Sequence, residues 1–507
     1  IGANDSANAW GSTVGSGAVP LSVAVTLGGF GEWLGATLLG YGVSDTIKKG
    51  VADTTDPDCW ACGYCDSGMA VYAVGMLCAL LAAALFLLLA TFAAMPVSTT
   101  HAIVAGVVGM TMVGSAEMDG VACLNWAWSG GLTSIVASWA ISPLFSGAVA
   151  FAIFRATKFA ALDAARPGSA ALLLSPFLYS TAAWVMTFLI MLKSQPTKQI
   201  ERSTQALTAC VVAGLTHAYA SLLAPRVREA MPTVRALRAE QEQSHRAVRE
   251  LSARLVRLEA AYRSLEQAHS ARKPPSAGLL GALRERIGAE DPAASPSPGC
   301  APEPGAEVLE VRRSPSPPTP SLHRSPPRGR RESAEDAVHV FRYVVVFVAF
   351  LESFAHGAND TASPTSDSSA REPPRSPRGH PECDSTATPW WVMSVAGAFV
   401  ALGVVTLGYR VIQTLGSDIA EIDFHMAFCV ESASTVTVVV ATCLGLPISS
   451  THCQVGAIVF VGMAKHGLHG SDCALFGKIA LTWVATIPLA AAIAALMMLP
   501  ARAAITL

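Results

Sequence analysis

Charge is scarce in this chain. Asp, Glu, Lys and Arg make up 14% of its 507 residues, against roughly 25% in an ordinary soluble domain. Neither sign dominates: Lys+Arg number 35 and Asp+Glu 37, a formal net charge of -2, which excludes a globally basic, nucleic-acid-binding surface. A dense disulfide framework is missing too. Several of the 12 cysteines (Cys78, Cys210, Cys429, Cys443) lie inside apolar runs, where they read as small buried hydrophobes. The alternating segments of about ten residues that build an outer-membrane barrel are absent, and no basic, cleavable leader precedes the first motif. What the sequence has is apolar mass, with 51% hydrophobic residues and a mean hydropathy of +0.42. Surface on this scale needs lipid as its solvent, so the expected fold is an all-α polytopic membrane protein.

A helix crosses the hydrocarbon core in about 20 residues. Continuous apolar runs of suitable length occupy 19–43, 70–92, 97–114, 133–154, 172–192 and 205–224, then 338–354, 390–416, 424–443, 447–463 and 474–499. They define a first membrane half, 1–224, and a second, 337–507, separated by a segment of different composition, 225–336. In that segment Val248, Leu251, Leu255, Leu258, Tyr262 and Leu265 follow alternating three- and four-residue steps on an Arg-rich helix. Such a helix pairs with another, lies along the bilayer surface, or simply carries a solvated amphipathic face. From Lys273 to Arg331 the Pro-, Ser- and Arg-rich composition cannot bury a core and reads as disordered.

Basic residues beside the spans set the orientation. Arg226, Arg228, Arg235 and Arg238 place the central segment in the cytoplasm, and Arg155, Lys158 and Arg166 place the 155–171 loop on the same side. Lys193, Lys198 and Arg202 then face outward, against the same rule. The loop sequence Cys59-Trp-Ala-Cys62-Gly-Tyr-Cys65 fits a redox pair, part of a metal site or an extracytoplasmic disulfide. With no fourth ligand close by, the disulfide is favoured.

Self-similarity is the most informative feature. Gly2-Ala-Asn-Asp5-Ser-Ala recurs as Gly357-Ala-Asn-Asp360-Thr-Ala, and Pro96-Val-Ser-Thr-Thr-His101 recurs as Pro447-Ile-Ser-Ser-Thr-His452. Trp139-Ala-Ile-Ser-Pro143 is echoed by Trp483-Val-Ala-Thr-Ile-Pro488, and Glu32 is matched with Glu431. The second copy has an apolar helix just ahead of its Gly-Ala-Asn-Asp; the first has none. One helix ahead of Ile1 restores the symmetry and gives about 12 crossings, seven before the central segment and five after it. Seven is odd, so the copies enter the membrane from opposite sides. That is the inverted-topology plan of secondary transporters, with broken or re-entrant helices meeting near the midplane.

Acidic residues inside lipid need partners, since a carboxylate at a helix centre costs about 2.5–3.5 kcal/mol or more. Asp5, Asp360, Glu32 and Glu431 lie within or beside apolar runs that offer no Lys or Arg. Sodium ions from solution are the natural counter-charges, with Asn8, the Asn4 and Asn359 amides and nearby Ser or Thr hydroxyls completing oxygen-rich shells; Asn4 and Asn359 are also expected to contact phosphate. The Pro-x-Ser segments have the opposite polarity. Pro96 and Pro447 suit the first turn of a new helix, leaving Ser98, Thr99 and Thr100, and likewise Ser449, Ser450 and Thr451, at helix N-termini that attract anions. Two such termini facing each other hold a tetrahedral oxyanion. Each element also has a plainer explanation in backbone bonding, helix packing or kinking, but the plain explanation has to hold twice at matched positions. Ser98 with His101 resembles half a hydrolase dyad, without an acid to orient it.

These motifs resemble the inorganic phosphate transporter (PiT) family of sodium- or proton-coupled symporters. The resemblance covers roughly 1–224 and 338–499 and rests on Gly2-Ala-Asn-Asp-Ser-Ala-Asn-Ala-Trp-Gly-Ser-Thr-Val-Gly-Ser-Gly-Ala and on Pro447-Ile-Ser-Ser-Thr-His-Cys-Gln-Val-Gly456. It implies a homodimeric, non-enzymatic transporter with outward-facing termini that uses sodium as coupling ion and no organic cofactor; the plasma membrane is the default for an importer, though organelle membranes host relatives too. It also implies phosphate and sodium handling by Asp5, Asp360, Glu32, Glu431 and the Ser/Thr clusters. Alternatives are proton coupling, another oxyanion such as sulfate, or a surface receptor that no longer transports. One departure stands out: Asn8 is matched by Ser363, and about 363–389 is a polar, Pro/Arg-rich insert that cannot be a membrane half-helix. Either the second copy has lost part of its site, or the stretch is an error of gene assembly.

Overall fold

The computed structural model describes residues 1–507 except 41–46, 48–49, 54–58, 60–67, 116–119, 129, 195–196, 198, 272–332, 361–388, 419–421, 445, 468–472 and 507; at some further helical positions, Asp360 among them, only the backbone is described. The elements are α1 (Gly2–Gly15), α2 (Leu21–Leu39), α3 (Gly68–Phe92), α4 (Thr99–Gly114), α5 (Leu132–Thr157), α6 (Pro167–Lys193), α7 (Arg202–Ala271), α8 (Ala334–Asp360), α9 (Trp390–Asp418), α10 (Phe424–Leu444), α11 (Ser450–His466) and α12 (Cys473–Thr506). Among the described residues nine helices are long and apolar enough to cross a membrane, and the only β pairing is an isolated Ala52–Leu124 bridge. The chain is thus an all-helical polytopic protein, as its composition requires. Pro143, Pro176, Pro488 and Pro500 sit inside helices, a placement common where neighbouring membrane helices re-satisfy the freed backbone groups.

Two compact units are present: Ile1–Glu229 with Arg331–Leu507, and Ala230–Arg330. In the second unit the heptad-spaced stretch is helical as far as Ala271. The segment read as disordered, 273–331, and all of the polar insert but Pro389 lie outside the described residues.

In the first unit, helices exchange partners. α1 packs on α9 and α2 on α8, while α4 packs on α12 and α5 on α11. Glycine makes these crossings close. A Cβ added at Gly2 would overlap the Val400 carbonyl, and one at Gly357, the matching glycine of the second motif, would overlap the Glu32 carbonyl. Gly35 stands against Phe354 and Ala358, as Gly403 stands against Ala3. This register corrects one sequence match. Glu32 of α2 occupies the place that Val400 takes in α9. Glu431 lies on α10, directly ahead of the second Pro-x-Ser motif, and the residue equally far ahead of Pro96 is Leu80. The two glutamates are therefore not repeat counterparts. Their shared position after a motif aspartate was misleading because two helices, not one, lie between each Gly-Ala-Asn-Asp and its Pro-x-Ser.

Loops pin the helix ends. Cys59 is disulfide-bonded to Cys123, reinforced by Asp53 N–H to the Cys123 carbonyl at 2.9 Å and Asn125 N–H to the Val51 carbonyl at 3.0 Å. The favoured disulfide thus exists, but its partner lies 64 residues away; Cys62 and Cys65 are outside the described residues. Asp423 caps α10, accepting the Met426 N–H at 2.8 Å and pairing with Lys465 at 2.8 Å. Burial pushes the Asp423 carboxyl upward, but the Lys465 ammonium and the Met426 N–H outweigh it and hold the group below the usual carboxylate range.

Candidate functional site

Both Pro-x-Ser motifs form turns that end in helix N-termini, the helices starting three residues after the prolines, at Thr99 and Ser450. Ser98 is the N-cap of α4, accepting the His101 N–H at 3.2 Å, and Ser449 is the N-cap of α11, accepting the His452 N–H at 3.3 Å. Pro96 and Pro447 precede the caps and hold the chain extended into the turn. The hydroxyls read as anion donors are divided by this geometry. Ser98 and Ser449 serve their own helices. Thr100 Oγ1 donates to the Ile448 carbonyl at 3.3 Å, and Thr451 Oγ1 to the Val97 carbonyl at 3.2 Å. Each turn is tied to the other by the same residue of its motif.

In the first turns of α4 and α11 the caps take the His101 and His452 N–H groups, while helix geometry gives the Thr99, Thr100 and Thr451 N–H groups no intrahelical acceptor. Around them gather the other motif residues. Asn8 Nδ2 donates to Ser450 Oγ at 3.1 Å, to Thr451 Oγ1 at 3.0 Å and to Asp5 Oδ1 at 3.2 Å. Thr99 is a further hydrogen-bond neighbour of Asp5. Asp5 is 1% exposed, and its Oδ2 has no hydrogen-bond partner among the described residues. Asp5, Asn8, Thr99, Ser450 and Thr451 thus converge where the two helix starts meet.

Asn4 and Asn359 have a different task. Asn4 Nδ2 donates to the Met95 carbonyl at 3.0 Å and to Thr91 Oγ1 at 3.3 Å, and its Oδ1 accepts the Val97 N–H at 3.0 Å. Asn359 Nδ2 donates to the Ile448 carbonyl at 3.1 Å. Both amides brace the turns. Behind the turns the histidines form a stack: His101 lies 3.9 Å from Trp139, His452 lies 3.8 Å from Trp483, and the two imidazoles meet edge to face at 4.6 Å between ring centroids. His452 Nδ1 is 2.9 Å from the Trp139 carbonyl. Ser98 therefore receives the His101 backbone N–H, while the ring packs on tryptophan, which is not a nucleophile–base pair.

The acids separate into groups. Glu431 is fully buried and accepts from Ser12 Oγ and, at 3.3 Å, from Thr13 Oγ1. Glu32 is 2% exposed where α2 crosses the second Gly-Ala-Asn-Asp motif. Asp360 ends α8, and its side chain is outside the described set. The sequence reading missed Glu352, His356, Ser12 and Thr13. Glu352 is 0% exposed, and His356 Nε2 stands 3.4 Å from its Oε1. The signal was available: Glu352 is an acid in an apolar run, as Glu32 is, but the position that matches it ahead of the first motif falls before Ile1. Among the described residues no three His, Cys, Asp or Glu side chains converge as a transition-metal site requires.

The chain is thus an all-helical protein of membrane type whose paired helix starts meet beside the buried Asp5. The phosphate transporter family matches over residues 1–494, and the chain belongs to that family. An inorganic phosphate transporter 2-1, chloroplastic, of Arabidopsis thaliana is 29% identical over 496 residues, covering 97% of this chain and 68% of the relative. A Pyrococcus horikoshii protein provisionally named a phosphate permease is 27% identical over 504 residues, covering 97% of this chain and 92% of the relative. A solved structure titled "The sodium-dependent phosphate transporter" has the same fold, with a TM-score of 0.67 at 23% identity and coverage of 98% of this chain and 94% of that one.

Proposed function

We propose that the protein imports inorganic phosphate by symport with sodium, alternating access between two inverted repeats. The observation that carries this reading is the meeting of the α4 and α11 N-termini beside Asp5 and Asn8. The first-turn N–H groups that the Ser98 and Ser449 caps leave over, those of Thr99, Thr100 and Thr451, offer donors to phosphate oxygens, with the Thr99 and Ser450 side chains beside them, and Asp5, with Glu32, Glu431 and Asp360, holds the sodium ions that offset its charge. Asn4 and Asn359 position the turns. Sodium supplies the gradient; the side chains bind, orient and exclude water.

Loop geometry supports the inverted arrangement. The Cys59–Cys123 bond requires the α3–α4 hairpin to return to the face it left, and the Lys465–Asp423 pair requires the same of α10–α11. α5, 26 residues long and so about 39 Å, starts on the first of these faces. It ends on the second, where Thr157 Oγ1 lies 2.7 Å from His425 Nε2. The hairpins open to opposite faces. Disulfides persist in oxidising compartments, so the Cys59–Cys123 face is extracytoplasmic, and α6 and α7 then put the 194–201 loop outside and the central segment in the cytoplasm. The outward placement of Lys193 and Arg202 follows despite the charge rule. A plasma-membrane location and a homodimer complete the proposal by likeness to the family.

Radiolabelled phosphate uptake into cells or liposomes carrying the protein is expected to require sodium, to fall when choline replaces it, and to resist excess unlabelled sulfate. Uptake driven by a pH gradient without sodium would replace this reading by proton coupling, and binding without accumulation would replace it by a receptor. Orientation has its own test. In intact cells a membrane-impermeant reductant is expected to open Cys59 and Cys123 to an impermeant maleimide; labelling only after permeabilisation would reverse the orientation.

A further inference from the structure

Glu352 of α8 and Glu431 of α10 are both 0% exposed, and their carboxyl groups are neighbours, with Ser434 beside them. From a third helix, Ser12 and Thr13 donate to Glu431 Oε1. The rest of the cluster is unsatisfied. Glu431 Oε2, both Glu352 carboxyl oxygens and Ser434 Oγ take part in no hydrogen bond of proper geometry among the described residues. Among the described residues a nitrogen facing the pair is His356 Nε2, 3.4 Å from Glu352 and itself 1% exposed. No Lys or Arg is paired with either acid among the described residues.

Two carboxyl groups in contact, in apolar surroundings, need a shared proton or a cation between them. The oxygens come from two carboxylates and three hydroxyls on three helices, a hard donor set without sulfur, which suits an alkali or alkaline-earth cation over a soft metal. The cluster is distinct from the meeting point of the helix starts: Ser12 lies about two turns along α1 from Asp5, roughly 10 Å.

We infer that Glu352, with Glu431, Ser12, Thr13 and Ser434, encloses a sodium pocket and is the residue that sets its sodium affinity. The inference rests on the sodium-symport reading, and it adds a ligand from α8 outside the Gly-Ala-Asn-Asp and Pro-x-Ser motifs. A second carboxylate gives the pocket enough negative charge to hold a cation when no phosphate is bound, so sodium enters first and leaves the Asp5 site electrostatically prepared for the anion.

The test is thermal unfolding of the purified full-length protein in phosphate-free buffer, titrated with NaCl against choline chloride and KCl. Sodium is expected to raise the melting temperature of the wild type, and potassium to do so far less. Glu352→Gln is expected to move the sodium midpoint up by roughly tenfold or more. Ser12→Ala is expected to move it in the same direction by less, and it serves as the second variant if Glu352→Gln does not fold. No sodium effect on the wild type, or an unchanged midpoint in the variants, would overturn the inference and leave a carboxyl pair bridged by a proton. The readout involves neither phosphate nor transport. Loss of the sodium effect in Glu352→Gln, with sodium-independent uptake in the wild type, would therefore sink the symport reading and spare the pocket.

Discussion

Phosphate uptake by an Asp5→Asn variant is expected to fall at least about 30-fold while the protein still inserts and folds, since truncating one partner of a buried charged arrangement typically costs about 2–5 kcal/mol. The substitution keeps volume and shape. An Asn oxygen turned toward Asn8 preserves the 3.2 Å bond that Asn8 Nδ2 makes with Asp5 Oδ1, so the hook from Asn8 to Ser450 and Thr451 survives. What disappears is one negative charge at a position 1% exposed to solvent, where Oδ2 has no hydrogen-bond partner among the described residues. If that charge partners a sodium ion, its loss removes the ion and, with it, the counter-charge for phosphate. Sodium titrations of uptake separate this from simple damage: the variant requires far more sodium and recovers little at saturation. Uptake within threefold of wild type at equal surface expression would mean that Asp5 is only a helix-packing acid, and the site would have to be moved.

Most of this site was legible because it is built twice. A Ser or Thr at a membrane-helix terminus says little alone, but Thr100 and Thr451 occupy the same motif position and reach the same carbonyl of the opposite turn, on Ile448 and Val97. A repeat in the sequence thus became a reciprocal contact in the fold. The limits arose where a residue has no twin or where local order misled. Glu352 lies ahead of the second Gly-Ala-Asn-Asp, and the matching position ahead of the first falls before Ile1, so recurrence could not select it, although its cost in an apolar helix is the same as that of Glu32. The pairing of Glu32 with Glu431 failed because sequence order conceals which helix faces which; only the crossings at Gly2 and Gly357 reveal that Glu32 aligns with Val400. Asn4 read as a ligand because an amide in lipid needs partners, and it has them in the turn backbone at Met95 and Val97. The disulfide partner of Cys59 was out of reach of spacing rules altogether, because nothing local brings Cys123 near it.

Gly35→Ala is expected to be among the most damaging single substitutions outside the ion site, with most of the folded yield lost. A Cβ at Gly35 would overlap the Phe354 carbonyl and press on the Ala358 backbone. Neither is a side chain that can rotate away. Overpacking in a core typically costs about 1–3 kcal/mol, and here relief requires moving α2 and α8 apart as whole helices, so about 3 kcal/mol or more is expected. Gly214→Ala is the control. It lies in α7 with nothing within 4 Å of the added carbon, and replacing a helical glycine there is expected to be neutral or to gain about 0.5–1 kcal/mol. Melting curves and size-exclusion profiles of the two detergent-purified variants check the contrast. The crossing also joins the helices of the proposed sodium ligands, for α2 holds Glu32 and α8 holds Glu352, His356 and Asn359. Any Gly35→Ala protein that does fold must separate those two sets of side chains, and its sodium dependence is expected to weaken along with its stability. Equal melting of Gly35→Ala and wild type would show that α2 and α8 do not meet backbone to backbone, and the placement of Glu32 beside the second motif would fall with it.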